Sequence, residues 1–149
     1  MASTAPDVDA RHALGEALYG LAVVALRRRS RDISLTSAST MSTLARTGPR
    51  RLTDLAAIEG VAQPSMTSLV TGLERAGLVE RRTDPTDRRV VLVALTEAGE
   101  QRLRARREAG AEWFGDLVDR LSEADRAALA NALPALNHLR ELENLKENS

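Results

Sequence analysis

The chain contains no cysteine, which excludes disulfides, thiolate metal sites, cysteine nucleophiles and thiol-based redox switches. Aromatic residues are nearly missing: Tyr19, Trp113 and Phe114 are the whole set in 149 residues. A core must therefore come from Leu, Val and Ala, which suits helix packing. Lysine is scarce too, since Lys146 stands alone among 21 basic residues. Arginine suits phosphate forks and narrow grooves, and a GC-rich genome enriches it as well. No apolar run is long enough to cross a bilayer. The only candidate, Ala17 to Leu26, is preceded by acids and followed by Arg27, Arg28 and Arg29, the reverse of a secretory signal. A cytoplasmic protein is expected. Catalytic signatures are also wanting: there is no GxSxG and no zinc-ligand cluster. Gly72 to Gly77 has the glycine spacing of a phosphate loop without its Lys and Ser/Thr. His12 and His138 lie near opposite ends of the chain. An enzyme is not expected, nor a cofactor or a metal site.

The formal net charge is zero, yet its distribution is uneven. Residues 27–89 carry twelve Arg against seven acids, and both flanks are net acidic. A basic centre between acidic ends is an electrostatic footprint that the total conceals.

Residues 1–7 read as a flexible tail. Leu14, Leu18, Leu21 and Ala25 recur at helical steps in a first helix from Val8 to about Arg29. The Arg27–Arg31 run that follows reads as a solvated helix end or as a phosphate contact. A second helix starts with Thr36 as cap, turns Ala38, Met41, Leu44 and Ala45 inward, and closes at Gly48-Pro49. Arg50-Arg51-Leu52 reads as a short link. Thr53 is expected to cap a third helix over Asp54–Glu59, with Leu55 and Ala56 inside and a turn at Gly60. The fourth helix has the clearest signals, with Pro64 at its first position and Gly77 just past its end. Met66, Leu69, Val70 and Leu73 form one stripe; Thr67, Ser68, Thr71 and Arg75 form the opposite one. Two strands follow, Leu78–Arg82 and Arg88–Leu95, around the turn-forming Thr83–Asp87. Thr96 then caps a fifth helix to about Leu121. Ser122-Glu123-Ala124-Asp125 opens a sixth as a capping box, with Pro134 expected to kink it.

Helix, turn, helix and hairpin thus occupy residues 53–95. The predicted fold is mainly α with a small β-hairpin (α+β): a winged helix-turn-helix core over residues 35–95, with helical segments 8–31 and 96–146 around it. A projecting helix with small polar residues can enter the DNA major groove. The hydroxyls of Ser65, Thr67, Ser68 and Thr71, with Gln63 and Arg75, can meet base edges or phosphates. At the hairpin tip Arg88 can enter the minor groove, with Asp87 holding its guanidinium. Arg89 or Arg82 would touch phosphate or brace the wing. Taken alone, the hydroxyl stripe is also an ordinary solvent face and Asp-Arg-Arg an ordinary charged turn; their order along the chain favours the DNA reading.

The matching residues are Leu52-Thr53-Asp54-Leu55-Ala56, Gln63-Pro64-Ser65-Met66-Thr67, Leu73-Glu74-Arg75-Ala76-Gly77-Leu78-Val79-Glu80-Arg81, Asp84-Pro85-Thr86-Asp87-Arg88-Arg89 and Leu95-Thr96-Glu97-Ala98-Gly99. In this order and spacing they resemble the MarR (multiple antibiotic resistance regulator) family. The resemblance implies a single MarR-type domain over residues 8–149 and a homodimer through the first, fifth and sixth helices. It implies a transcriptional repressor on a palindromic site in double-stranded DNA. It further implies a small aromatic or anionic ligand in a cleft, for which His12, Arg11, Tyr19, Trp113 and the Arg27–Arg31 run are conceivable lining residues without a motif. The alternative is a winged-helix module that binds protein instead of DNA.

Overall fold

The structure, a computed structural model, describes residues 8–28 and 32–146, with side chains through Leu142. The tail expected over residues 1–7 and the Arg29 and Arg31 of the arginine run lie outside the described residues. The element order is α1 (Val8–Arg28), α2 (Leu35–Thr47), β1 (Arg50–Arg51), α3 (Leu52–Ile58), α4 (Gln63–Arg75), β2 (Val79–Thr83), β3 (Val91–Leu95), α5 (Glu97–Asp119) and α6 (Glu123–Lys146). The chain divides into two compact units, one reaching to Gly110 and one from Ala111 onward. No described helix is long and apolar enough to cross a membrane.

In the first unit, α2, α3 and α4 pack with a three-stranded antiparallel sheet of order β1-β3-β2. Its core is Met41, Leu44, Leu55, Ala56, Met66, Val70, Leu73, Val79, Val93 and Leu103. Methionine supplies two of the largest fully buried side chains, Met41 and Met66. Unbranched and adaptable, it fills space that the missing aromatics would otherwise take. The strand β3 is central, and its Val93 and Ala94 are buried. Val79 pairs opposite Leu95, and Thr83 opposite Val91.

Several boundaries differ from the sequence reading. Ser34, not Thr36, caps α2: its hydroxyl accepts from the Ser37 N–H at 3.0 Å. The inner face of α2 carries Thr40 and Thr43 beside Met41 and Leu44, while Ala45 is exposed. Burying Thr43 is offset by its hydroxyl donating to Glu59 Oε1 at 3.2 Å. The expected link at Arg50-Arg51 is a strand, so the hairpin gains a third member: Arg50 pairs with Val93 and Arg51 with Leu92. Two polar residues carry no alternation to announce a strand; only the free edge of β3 makes them one. Thr53 does not cap α3, which starts at Leu52, two residues before the expected Asp54, with Arg51 at the cap position and no side-chain bond there. Pro64 is the second residue of α4. The second hairpin strand begins at Val91, which leaves Arg88 and Arg89 in the loop.

The end of α4, the start of β2 and the start of α5 meet at one junction. Gly77 takes φ 71°, a left-handed conformation that closes α4, and its N–H reaches Glu74 O at 2.9 Å. Thr96 caps α5 as expected: its hydroxyl accepts from the Gly99 N–H at 3.1 Å and donates to Gly77 O at 2.7 Å. The Thr96 N–H donates to Leu78 O at 3.1 Å. A second tie holds α5 from farther along: Asp32 pairs with Arg102 and, at 3.1 Å, with Arg106, one helical turn apart.

In the second unit, Ser122 caps α6, accepting from the Asp125 N–H at 3.1 Å and donating to its carboxylate at 2.7 Å. Pro134 lies within α6. Trp113 and Phe114 meet edge to face, with centroids 4.7 Å apart. Leu129, Leu133, Leu136, Leu139 and Leu142 are exposed.

A Cβ at Gly99 would lie 2.2 Å from Leu78 O and 2.6 Å from Leu95 Cδ1. The carbonyl is held by Thr96 and cannot yield. Gly99→Ala is expected to destabilise the chain by about 1–3 kcal/mol, the range for overpacking, read as a lowered midpoint in urea denaturation. An unchanged midpoint would show that the approach at this junction is looser than described.

Candidate nucleic-acid interface

Burial divides α4 lengthwise. Met66, Val70 and Leu73 are buried and Leu69 is half-buried. On the other side Gln63, Ser65, Thr67, Ser68 and Arg75 are exposed and Thr71 is half-buried. All six predicted recognition-helix residues are therefore on one helix and away from the core. The hydroxyls are ordered by the helix itself. Thr67 donates to Gln63 O at 2.9 Å, Ser68 to Pro64 O at 3.1 Å and Thr71 to Thr67 O at 2.8 Å. Such bonds to the carbonyl four residues back hold short side chains against their own helix.

The wing begins where α4 ends. From Val79 to Thr83 the strand carries the chain roughly 13 Å before the loop, at the usual rise per residue. Two residues outside the predicted set link the wing to the helix. The Arg81 guanidinium pairs with Glu74 and approaches Thr71 Oγ1 at 3.5 Å. Both charged side chains are about a third exposed, so the pair contributes orientation more than energy. Arg82 turns instead to Glu80, with Nε donating to Oε1 at 2.6 Å.

Asp87, Arg88 and Arg89 are exposed in the loop over residues 84–90. The acids there have a different role from the one expected. Asp87 accepts from the backbone N–H of Arg89 at 2.9 Å, and among the described residues it forms no ion pair with the Arg88 guanidinium. Asp84 accepts from the Thr86 N–H at 2.7 Å and from the Thr86 hydroxyl at 2.6 Å. Its own N–H reaches Val90 O at 2.9 Å, and Val90 returns a bond to Asp87 O at 2.9 Å. The carboxylates thus fold the loop backbone, and the loop presents the arginines. The Thr86 hydroxyl and N–H, with smaller help from the Asp87 N–H and the Arg51 charge, hold the Asp84 carboxyl below its ordinary value of 3.8.

This geometry has known counterparts. Residues 33–91 match the model of the MarR family. An uncharacterized HTH-type transcriptional regulator of Mycobacterium bovis, Mb0904, is 36% identical over 132 residues, covering 85% of this chain and 90% of the relative. The chain belongs to the MarR family of transcriptional regulators. The crystal structure of Rv1404 from Mycobacterium tuberculosis superposes with a TM-score of 0.69 at 26% identity, covering 93% of this chain and 97% of that one. A Staphylococcus aureus MepR mutant bound to an oligodeoxyribonucleotide shares the fold at a TM-score of 0.61 and 24% identity, covering 86% of this chain and 94% of that one.

The Asp84 bonds set a pH dependence. A carboxyl whose folded pKa is depressed stabilises the fold above its unfolded value, and that contribution is lost as pH falls through the folded pKa. Followed by NMR, Asp84 is expected to titrate below 3.8. Thr86→Val, which removes the largest cause, should move the midpoint up toward that value. A midpoint that does not move would remove Thr86 as the cause.

Proposed function

We infer that this MarR-family regulator binds palindromic duplex DNA as a homodimer and represses transcription in the cytoplasm. The observation that carries the reading is the exposed polar face of α4 next to a wing whose loop presents Arg88 and Arg89 to solvent. A helix of this width fits the major groove, with Gln63, Ser65, Thr67, Ser68, Thr71 and Arg75 toward bases and phosphates. Arg88 would enter the flanking minor groove, where a narrow A·T tract deepens the negative potential. Arg89 or Arg82 would touch phosphate or brace the wing, and Arg82 is bonded to Glu80 within it. MepR, of the same fold, has been seen on an oligodeoxyribonucleotide.

The dimer is supported by apolar surface that a single chain leaves in water. On α1, Leu14, Leu18, Leu21 and Val24 are exposed; on α6, five leucines are. Faces of this kind mark a partner site, and twofold symmetry lets one face meet its own copy. Residues 35–95 then form the winged core, and α1, α5 and α6 the dimerisation helices. Half-sites follow roughly one helical turn, ~34 Å, apart. A small aromatic or anionic ligand that favours a different spacing would weaken DNA binding by linkage. The chemistry of the site is binding, with no constellation for catalysis among the residues assigned to it.

Gel-shift titration against the DNA upstream of its own gene tests this reading. The protein is expected to bind with a steep salt dependence and to sediment as a dimer. Arg88→Ala should weaken binding about tenfold or more while leaving the dimer folded. Unchanged affinity would remove the wing from the interface, and a stable monomer would end the twofold scheme.

A further inference from the structure

Three of the four hydroxyls on α4, those of Thr67, Ser68 and Thr71, direct their protons into the helix. A carbonyl oxygen only accepts, so Thr67, Ser68 and Thr71 must each be the donor to the carbonyl four residues back, at 2.9, 3.1 and 2.8 Å. What they turn outward is lone pairs. Thr71 differs from the other two, because it is half-buried and Arg81 Nη2 lies 3.5 Å from its oxygen. Thr67 and Ser68 are exposed, and among the described residues neither oxygen accepts a further bond. Donor-bearing side chains are confined to the two ends of the outward face. Gln63 and Ser65 are in the first turn and Arg75 in the last, with Gln63 and Arg75 roughly 18 Å apart at 1.5 Å per residue.

We propose that Thr67 and Ser68 form an acceptor patch in the middle of α4 that selects base pairs by their exocyclic amino groups, adenine N6 or cytosine N4. Thr71 is a positioning residue, joined through Arg81 to the wing. The proposal rests on α4 entering the major groove and adds the polarity of what it reads there. Each base pair offers the groove a distinct set of donors and acceptors. Toward an amino group, the hydroxyl accepts one new bond and keeps its bond to the backbone. Toward guanine O6, guanine N7 or thymine O4 it must first release the carbonyl, so one bond replaces another and nothing is gained. Amino-bearing bases are therefore preferred opposite the middle of the helix. Guanine and phosphate contacts fall to Gln63, Ser65 and Arg75 at its ends.

The test uses the full chain. Preferred sites are first selected from a random duplex library. Each adenine of a half-site is then replaced by purine and each cytosine by 2-pyrimidinone, which delete only the amino group. Affinities are measured for the unaltered protein, Thr67→Val, Ser68→Ala and Thr71→Val. At one or two positions per half-site, deleting the amino group is expected to weaken the unaltered protein about tenfold. The same deletion should leave the matching hydroxyl variant unaffected, while Thr71→Val should lower affinity without coupling to any single base. The arm with unaltered protein stays decisive even if a variant folds poorly. An enriched site whose amino groups are all dispensable, or a hydroxyl that couples to guanine in a 7-deazaguanine replacement, overturns the proposal alone. A library that yields no enriched sequence overturns it together with the DNA-binding reading.

Discussion

The rotation of α4 about its own axis is set by three side chains, Met66, Val70 and Leu73, that lie in the core against α2, α3 and the sheet. Each fully buried apolar side chain of this size contributes about 1.5–3 kcal/mol, whereas a half-exposed ion pair such as Glu74–Arg81 contributes about 1 kcal/mol at most. The core therefore decides which way the helix faces, and the ion pair only trims its alignment with the wing. At 3.6 residues per turn, once positions 66, 70 and 73 point inward, positions 67, 68, 71 and 75 have no choice of direction. The interface is a consequence of burial on its reverse side.

The same rigidity reaches the wing and α5 through a junction that has little freedom. Gly77 ends α4 in a conformation that side chains disfavour. Leu78 O receives the Thr96 N–H, and Gly99 brings α5 so near that carbonyl that no Cβ fits. Asp32 secures α5 again at Arg102 and Arg106. The exposed helix α4, the hairpin and the base of α5 therefore share one anchor.

Membership in the MarR family and the likeness to solved structures establish the architecture, which many chemistries can share. The detail of its polar groups decides what this chain presents to solvent. Acids in the wing loop shape backbone, with Asp84 gripped by Thr86 and Asp87 by the Arg89 N–H. Thr67, Ser68 and Thr71 on α4 are donors to their own helix. Both arrangements leave arginines and lone pairs as the groups presented to water.

Much of this was legible in the residues because it is local. The stripe at Met66, Val70 and Leu73, the stop at Gly77, the cap at Thr96 and the hairpin all depend on residues within a turn or two of one another. The exact starts of α2 and α3 were less legible: Ser34 and Thr36 are both chemically able to cap α2, and α3 begins before Thr53 with no side-chain cap. Other features were decided only by the tertiary structure. The strand at Arg50-Arg51 exists because β3 offers it an edge. Arg81 meets Glu74 and Thr71 because a sheet folds back on a helix. Asp32 finds partners some 70 residues away. Periodicity and capping report what a segment prefers by itself, and these contacts arise from where segments are brought together by a core they do not belong to.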